Sequence, residues 1–280
     1  MQKLLIVDGS NLLFQMFYGM PARILNKDGK PIHGTLGFVG ALLKIIRRIR
    51  PTHVVVLFDG EHENERVEID AEYKGNRTDY SMLSEEETPF SQLPDIYASL
   101  AHLCIPFTET TDCETDDLIA AYCKGYEGKL QIVISSFDSD FFQLITDMVS
   151  VLRYRGDKTQ ICDREYVLEK FGVEAKQYAD FKSLTGDKAD NIKGAPKIGA
   201  KTAAALINQF GSLKGVLENT AHIARSCIRE SIEVNKERLE KNRRLICLDG
   251  CAKLPFALEE LAFSDSGETT TEILTKLGIK

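Results

Sequence analysis

Acidic residues follow short apolar runs at several places along the chain. Leu5-Ile6-Val7 runs into Asp8, Val56-Leu57-Phe58 into Asp59, and Val133-Ile134 is followed by Asp138 and Asp140. Glu114-Thr115-Asp116-Asp117 opens a helical pattern, and Asp187 and Asp190 precede a glycine-punctuated stretch. If the apolar runs are neighbouring parallel strands, the acids that end them gather at one sheet edge. Crowded carboxylates raise one another's pKa and destabilise the site. Divalent cations among them offset that cost. An all-oxygen donor set suits Mg²⁺ or Mn²⁺, which keep several waters and also bind phosphate oxygens.

Each acid taken singly has an ordinary explanation. Asp8 alone reads as a turn or helix-capping residue, and Asp138-Ser139-Asp140 as a turn. Glu114, Asp116 and Asp117 would complement a helix dipole. Their recurrence at the same relative place favours a metal site.

The stretch from Gly186 to Ala203 carries a second signal. Gly194 and Gly199 bracket a tight turn, and a helix starting near Lys201 and Thr202 presents free backbone amides. Such an amide concavity favours a phosphate. Lys193, Lys197 and Lys201 add positive charge without sequence preference. The alternative is an ordinary helix–turn–helix with a solvated lysine face. Asp187 and Asp190 just ahead weigh against it.

The elements that must position these residues are legible in outline. Residues 3–7, 52–58, 130–135 and 149–154 are short runs rich in Val, Ile and Leu without polar alternation. Continuous runs of this kind suit a parallel sheet covered on both faces. Helical patterns fall at 34–49, 95–104 and 114–126, the first stopped by Pro51. Strands alternating with helices indicate a doubly wound α/β domain, whose ligands sit beyond the carboxyl ends of the strands. From about Val167 no strand candidate is found, and helical segments follow at 181–184, 201–210, 223–234 and 235–245. The boundary is placed near Phe171, giving an α/β unit over 1–170 and a helical unit over 171–280. The last stretch, 254–280, is mixed, with a short helix near 272–277.

Bulk properties narrow the function classes. The 280 residues are 43% hydrophobic and 28% charged, as in ordinary globular chains. The longest apolar runs fall far short of the roughly 20 residues that span a bilayer, so no membrane partner is expected. The first apolar run is short and ends at Asp8, so no signal peptide is expected. Seven cysteines without paired CxxC clusters speak against a disulfide framework or a zinc site. A cytoplasmic protein with reduced thiols is expected. The net charge of −7 counts against a nucleic-acid partner only weakly, because a carboxylate-built metal site makes the metal-free chain look more acidic than its working form.

These motifs, in this order, resemble the 5′ nucleases: the flap endonucleases, the bacteriophage 5′ exonucleases, and especially the N-terminal domain of bacterial DNA polymerase I. The resemblance runs from Leu5 to about Leu248. It rests on Val7-Asp8-Gly9-Ser10-Asn11, Pro51-Thr52-His53-Val54, Phe58-Asp59, Tyr73-Lys74-Gly75-Asn76-Arg77, Glu114-Thr115-Asp116-Asp117, Asp138-Ser139-Asp140 and the stretch from Gly186 to Ala203. It implies a PIN-like, mostly parallel core with a helical arch at about 73–95. A helical region with a helix–hairpin–helix-type (H3TH) motif at about 186–203 would follow.

The resemblance also implies roles. Asp8, Asp59, Glu114 and Asp116, supported by Asp117, match the acids of a first metal site. Asp138, Asp140, Asp187 and Asp190 match those of a second. Lys74 matches the lysine at the scissile phosphate, Arg77 a phosphate-steering arginine, and Tyr73 the aromatic near which the terminal nucleotide lies. Lys193, Gly194, Lys197, Gly199, Lys201 and Thr202 match the hairpin that holds the DNA backbone. Two Mg²⁺ or Mn²⁺ ions are implied, with a monovalent cation such as K⁺ suggested at the hairpin. The implied partner is branched, flapped or nicked DNA, and a bacterial-type monomer acting in replication or repair is expected. The sequence departs from the family at Ser135-Ser136-Phe137, where a small Thr-Gly pattern is usual, and at the acidic stretch 78–87. The competing readings are a DNA-binding protein with reduced catalysis and a ribonuclease on the same core.

Overall fold

The computed structural model describes residues 2–60, 66, 69–76, 84 and 87–280. Its centre is a six-stranded sheet of β1 (Lys3–Asp8), β2 (His53–Phe58), β3 (Phe107–Glu109), β4 (Gln131–Ser135), β5 (Val149–Arg153) and β6 (Gln160–Cys162). The strand order is β3-β2-β1-β4-β5-β6. All pairings are parallel except that of β6, which runs antiparallel along β5. The chain leaves β1 toward β2 on one side and reaches β4 on the other. The sheet therefore reverses its winding beside β1, and α/β sheets open a ligand crevice at such a point.

The four long strands are buried on both faces, which is why they read as unbroken apolar runs. Leu5 and Val7 of β1 face α1 (Gly9–Gly19), α2 (His33–Ile49) and α3 (Leu93–His102). Leu4 and Ile6 face the other way, toward α4 (Thr115–Gly125). Alternate residues of one strand thus enter two separate cores.

The second core continues into the helical region. There α5 (Arg164–Phe171), α6 (Tyr178–Thr185), α7 (Ala200–Phe210), α8 (Leu213–Glu218), α9 (Ser226–Val234) and α10 (Lys236–Ile246) share one apolar cluster with β1, β2 and β4. Phe142, Phe171, Tyr178 and Phe181 interlock their rings across the junction. This region is not free of strands. β7 (Gly186–Asp187) and β8 (Ile192–Lys193) form a two-residue antiparallel pair, too short to leave an apolar pattern in the sequence.

The end of the chain returns to the first core. The Phe263 N–H donates to the Thr52 carbonyl at 2.9 Å. Helix α11 (Thr270–Lys276) then buries Ile273 and Leu274 with α2 and α3. Thr269 and Glu272 form its capping box, so the helix starts two residues before the 272–277 read from the sequence. Among the described residues no helix is long and apolar enough to cross a membrane.

Candidate metal centre and nucleic-acid interface

Helix α1 begins where β1 ends, so Asp8 is both the last strand residue and the helix cap. Its carboxylate accepts from the Asn11 backbone N–H at 2.9 Å and from the Ser136 hydroxyl at 2.8 Å. Burial, followed by the neighbouring Asp59, pushes the Asp8 pKa up to about 7, although the Asn11 and Ser136 bonds pull the other way. Asp59 directly follows β2, and its N–H donates to Ser10 Oγ at 2.8 Å. Asp116, in the first turn of α4, is driven well above the carboxylate range by burial and by Asp138, while Lys74 opposes the rise. Asp8, Asp59, Asp116 and Asp138 line one cleft of about 610 Å³ together with Lys74, Ser10, Asn11 and Asn76. Phe14 and Phe90 form the apolar part of its wall.

A second acidic group adjoins the first. Asp140, Asp187 and Asp190 each place a carboxylate oxygen within 4.8 Å of the others. Asp138 connects the two sets, because its Oδ1 accepts from the Asp140 backbone N–H at 2.8 Å. The buried Lys182 ammonium reaches into this group and bonds Asp140 and Asp187. Burial works against the Lys182 charge, but the two carboxylates outweigh it and hold its pKa above the usual lysine value. Acids this crowded are a donor set for cations, and a lysine already serves two of them. Both sets fit divalent cations on chemistry as well, being all-oxygen; the first lines the cleft, and the second lies beside it with Asp140 and Asp190 buried.

Glu114 and Asp117 face elsewhere. Glu114 accepts from Lys74 Nζ at 2.7 Å, from the Arg66 guanidinium, and from the Tyr73 hydroxyl at 3.4 Å. Asp117 pairs with Arg66 at 2.8 Å. Arg66 thus neutralises the two acids of the α4 entrance that do not line the cleft. Tyr73 is only 6% exposed and packs with Ile192, Leu245 and Ile246. Lys74 Nζ lies 4.9 Å from its ring centroid. The stacking role that the resemblance implies for Tyr73 therefore meets a buried ring, and what Tyr73 offers the site is its hydroxyl. Arg77 and most of the acidic stretch at 78–87, and with them much of the expected arch, lie outside the described residues.

In the hairpin, an added Cβ at Gly186 would collide with the Gly194 backbone, and one at Gly194 with Thr185. Only glycines let β7 and β8 approach this closely. Gly199 caps α7, and the Thr202 N–H bonds its carbonyl at 3.0 Å. Lys197 takes a left-handed backbone (φ 66°), and it and Lys201 are exposed. Lys193 is exposed as well, although it pairs with Glu72 at 2.9 Å.

Sequence reasoning missed Arg66, Lys182, Phe14 and Phe90. Lys182 could have been suspected, since a lysine on the buried face of α6 must have acidic partners. For Phe90 the sequence offers no comparable signal.

Residues 3–172 match the family model of the 5′-3′ exonuclease N-terminal resolvase-like domain, and residues 173–269 that of the 5′-3′ exonuclease C-terminal SAM fold. The chain belongs to the 5′-3′ exonuclease family. A 5′-3′ exonuclease of Aquifex aeolicus is 32% identical over 250 residues, covering 89% of this chain and 82% of that one. A DNA polymerase I of Streptococcus pneumoniae is 31% identical over 269 residues. That match covers 94% of this chain but only 30% of the polymerase. Among solved structures, the T5 D15 protein co-crystallised with metal ions superposes with a TM-score of 0.74 at 25% identity. It covers 98% of this chain and 99% of that one. The resolvase-like core and the helical C-terminal fold of the family are the α/β and helical parts described above.

Proposed function

We propose that this chain is a divalent-metal-dependent 5′ nuclease that hydrolyses DNA phosphodiesters at flaps, nicks and branched 5′ ends. The observation that carries the reading is the pair of adjoining carboxylate sets at one sheet edge, with the Lys74 ammonium beside them. Membership of the 5′-3′ exonuclease family and the likeness to the metal-bound T5 D15 protein support it. The α/β unit over 1–170 carries the acids on its strand ends. The unit over 171–280 supplies Asp187, Asp190 and the hairpin.

Asp8, Asp59, Asp116 and Asp138 would hold one Mg²⁺ or Mn²⁺, and Asp140, Asp187 and Asp190 a second. Asp138, matched by the resemblance to the second set, lines the cleft with the first, while Glu114 and Asp117 pair with Arg66. When bound, such ions supply activated water near neutral pH and charge neutralisation at the leaving 3′ oxygen. The chain's own residues do the rest. Lys74 exchanges its bond to Glu114 for the scissile phosphate and neutralises charge there, and Arg66 keeps Glu114 paired as it does so. Lys193, Lys197, Lys201 and the amides at the start of α7 hold the duplex backbone, and Gly194, Gly199 and Thr202 shape that surface. A K⁺ ion at the hairpin and a monomeric, cytoplasmic protein complete the reading.

Incubation with labelled 5′-flap, nicked-duplex and single-stranded DNA in Mg²⁺, Mn²⁺ or EDTA tests it. Release of 5′ fragments from flap and nicked DNA in either metal, and none in EDTA, is the expected outcome. Metal-independent cleavage, or none on any substrate, would overturn it.

A further inference from the structure

Lys74 holds a left-handed backbone (φ 55°), a conformation that a residue with a β-carbon adopts only when its surroundings enforce it. It is the third residue of a turn closed by the Gly75 N–H on the Glu72 carbonyl at 3.1 Å. The turn's own bonds, with the Tyr73 N–H on the Asp70 carbonyl at 2.9 Å, set its shape, and contacts from outside hold it in place. Those contacts come from the loop between β7 and β8, which carries Asp187 and Asp190. The Lys74 N–H donates to the Asp190 carbonyl at 3.0 Å. Asn191 Nδ2 donates to the Glu72 carbonyl at 2.8 Å, and Asn76 Nδ2 to the Lys188 carbonyl at 3.0 Å. Asn191 is itself left-handed (φ 59°), the conformation that asparagine tolerates better than other residues with a β-carbon.

We infer that Asn191 is a positioning residue that locks the Glu72–Gly75 turn onto the Asp187–Asp190 loop and so aims Lys74 at the acidic cleft. It acts in two ways. Its backbone sends the chain from the acids into β8 and leaves the Asp190 carbonyl facing Lys74. Its side-chain amide fixes the other end of the same turn. The second carboxylate set and the Lys74 ammonium are then one rigid unit, and DNA seated on the hairpin meets a lysine already in place. Preorganisation of this kind governs rate more than affinity, since a misplacement of about 1 Å costs on the order of 10² in rate. The inference rests on the nuclease reading above, but the lock has its own observable in the exchange of the Lys74 amide.

Asn191→Ala removes both the amide donor and the tolerance for positive φ, whereas Asn191→Gly removes only the donor. Both variants should be compared with the wild type in single-turnover flap cleavage, in flap affinity in Ca²⁺, and in hydrogen exchange across residues 70–76 without metal. We expect Asn191→Ala to slow cleavage by about 10–100-fold while affinity stays within about threefold. Asn191→Gly should fall between, and both should exchange the Lys74 amide faster. In a Lys74→Ala background, Asn191→Ala should add no further loss. An equal loss in both backgrounds, or unchanged exchange at Lys74, would overturn the inference. Should Asn191→Ala fail to fold, Asn191→Gly carries the same comparison. Should the wild type cleave nothing, the nuclease reading fails, and the exchange result alone sustains or overturns the lock.

Discussion

The Ser136 hydroxyl donates to Asp8 Oδ2 at 2.8 Å and accepts from the Asp138 backbone N–H at 3.0 Å. One side chain therefore joins the acid that ends β1 to the loop after β4. Ser136 belongs to the Ser135-Ser136-Phe137 segment, so this segment bonds directly to the first acidic set.

The Asp8 carboxyl has a folded pKa of about 7 against an ordinary 3.8, through burial and then Asp59. Its ionisation penalises the metal-free fold. The penalty is absent below the unfolded pKa, grows as pH rises, and is fully present above about 7, with a ceiling of about 4 kcal/mol. In EDTA, the melting temperature of the wild type should rise as pH falls from about 8 to about 6. Asp8→Asn should lose part of that slope, because Asp116 and Asp140 are raised by burial as well and carry the rest, and Ser136→Ala should move the Asp8 contribution to higher pH. Thermal melts across this range check it, and an Asp8→Asn slope equal to the wild type's would contradict the assignment.

Lys182 balances Asp140 and Asp187 where no metal is bound. Lys182→Met leaves the buried Asp140 and the half-buried Asp187 without their cation, a change that costs about 3–5 kcal/mol when a buried pair is broken. The variant should melt well below the wild type in EDTA and recover more stability than the wild type on Mn²⁺ addition. Equal recovery in both would show that Lys182 does not share its acids with a metal.

The exposed lysines of the hairpin have a salt signature. Neutralising Lys193, Lys197 and Lys201 together should weaken duplex binding equally for all sequences. The slope of log K against log salt should fall by up to about 0.9 for each phosphate that is no longer neutralised. Lys193 should contribute least, because Glu72 already pairs with it. Fluorescence titrations at several salt concentrations decide this, and an unchanged slope would leave the lysines as solvated surface.

Much of the site is legible in the sequence because strand ends are read easily. Unbroken apolar runs mark β1, β2, β4 and β5 to within a residue or two, and the acids just beyond them come with the strands. Helix α1 is not apparent there beyond Asp8 as a candidate cap, because that cap also ends a strand and the same acid reads as a metal ligand. Strands β3 and β6 span three residues each and lie at the sheet edges, so neither carries a burial pattern that a sequence displays. The pairing of Glu114 and Asp117 with Arg66 is also out of reach. Arg66 lies 48 residues from Glu114, and nothing local distinguishes it from a surface arginine. The glycines announce the hairpin, but not its bonds to the Lys74 turn, which join segments more than a hundred residues apart.

Asp116 gives the most direct test of the central claim, because it lines the acidic cleft beside Asp8, Asp59 and Asp138 and a metal-dependent reaction needs its charge there. Single-turnover cleavage of one labelled 5′-flap substrate in Mn²⁺ should be compared for wild type and Asp116→Ala, with flap affinity in Ca²⁺ measured alongside. The account predicts a rate lower by at least about 10²–10³ in the variant, with its fold intact and DNA still bound. An Asp116→Ala protein that cleaves the flap at the wild-type rate would contradict it.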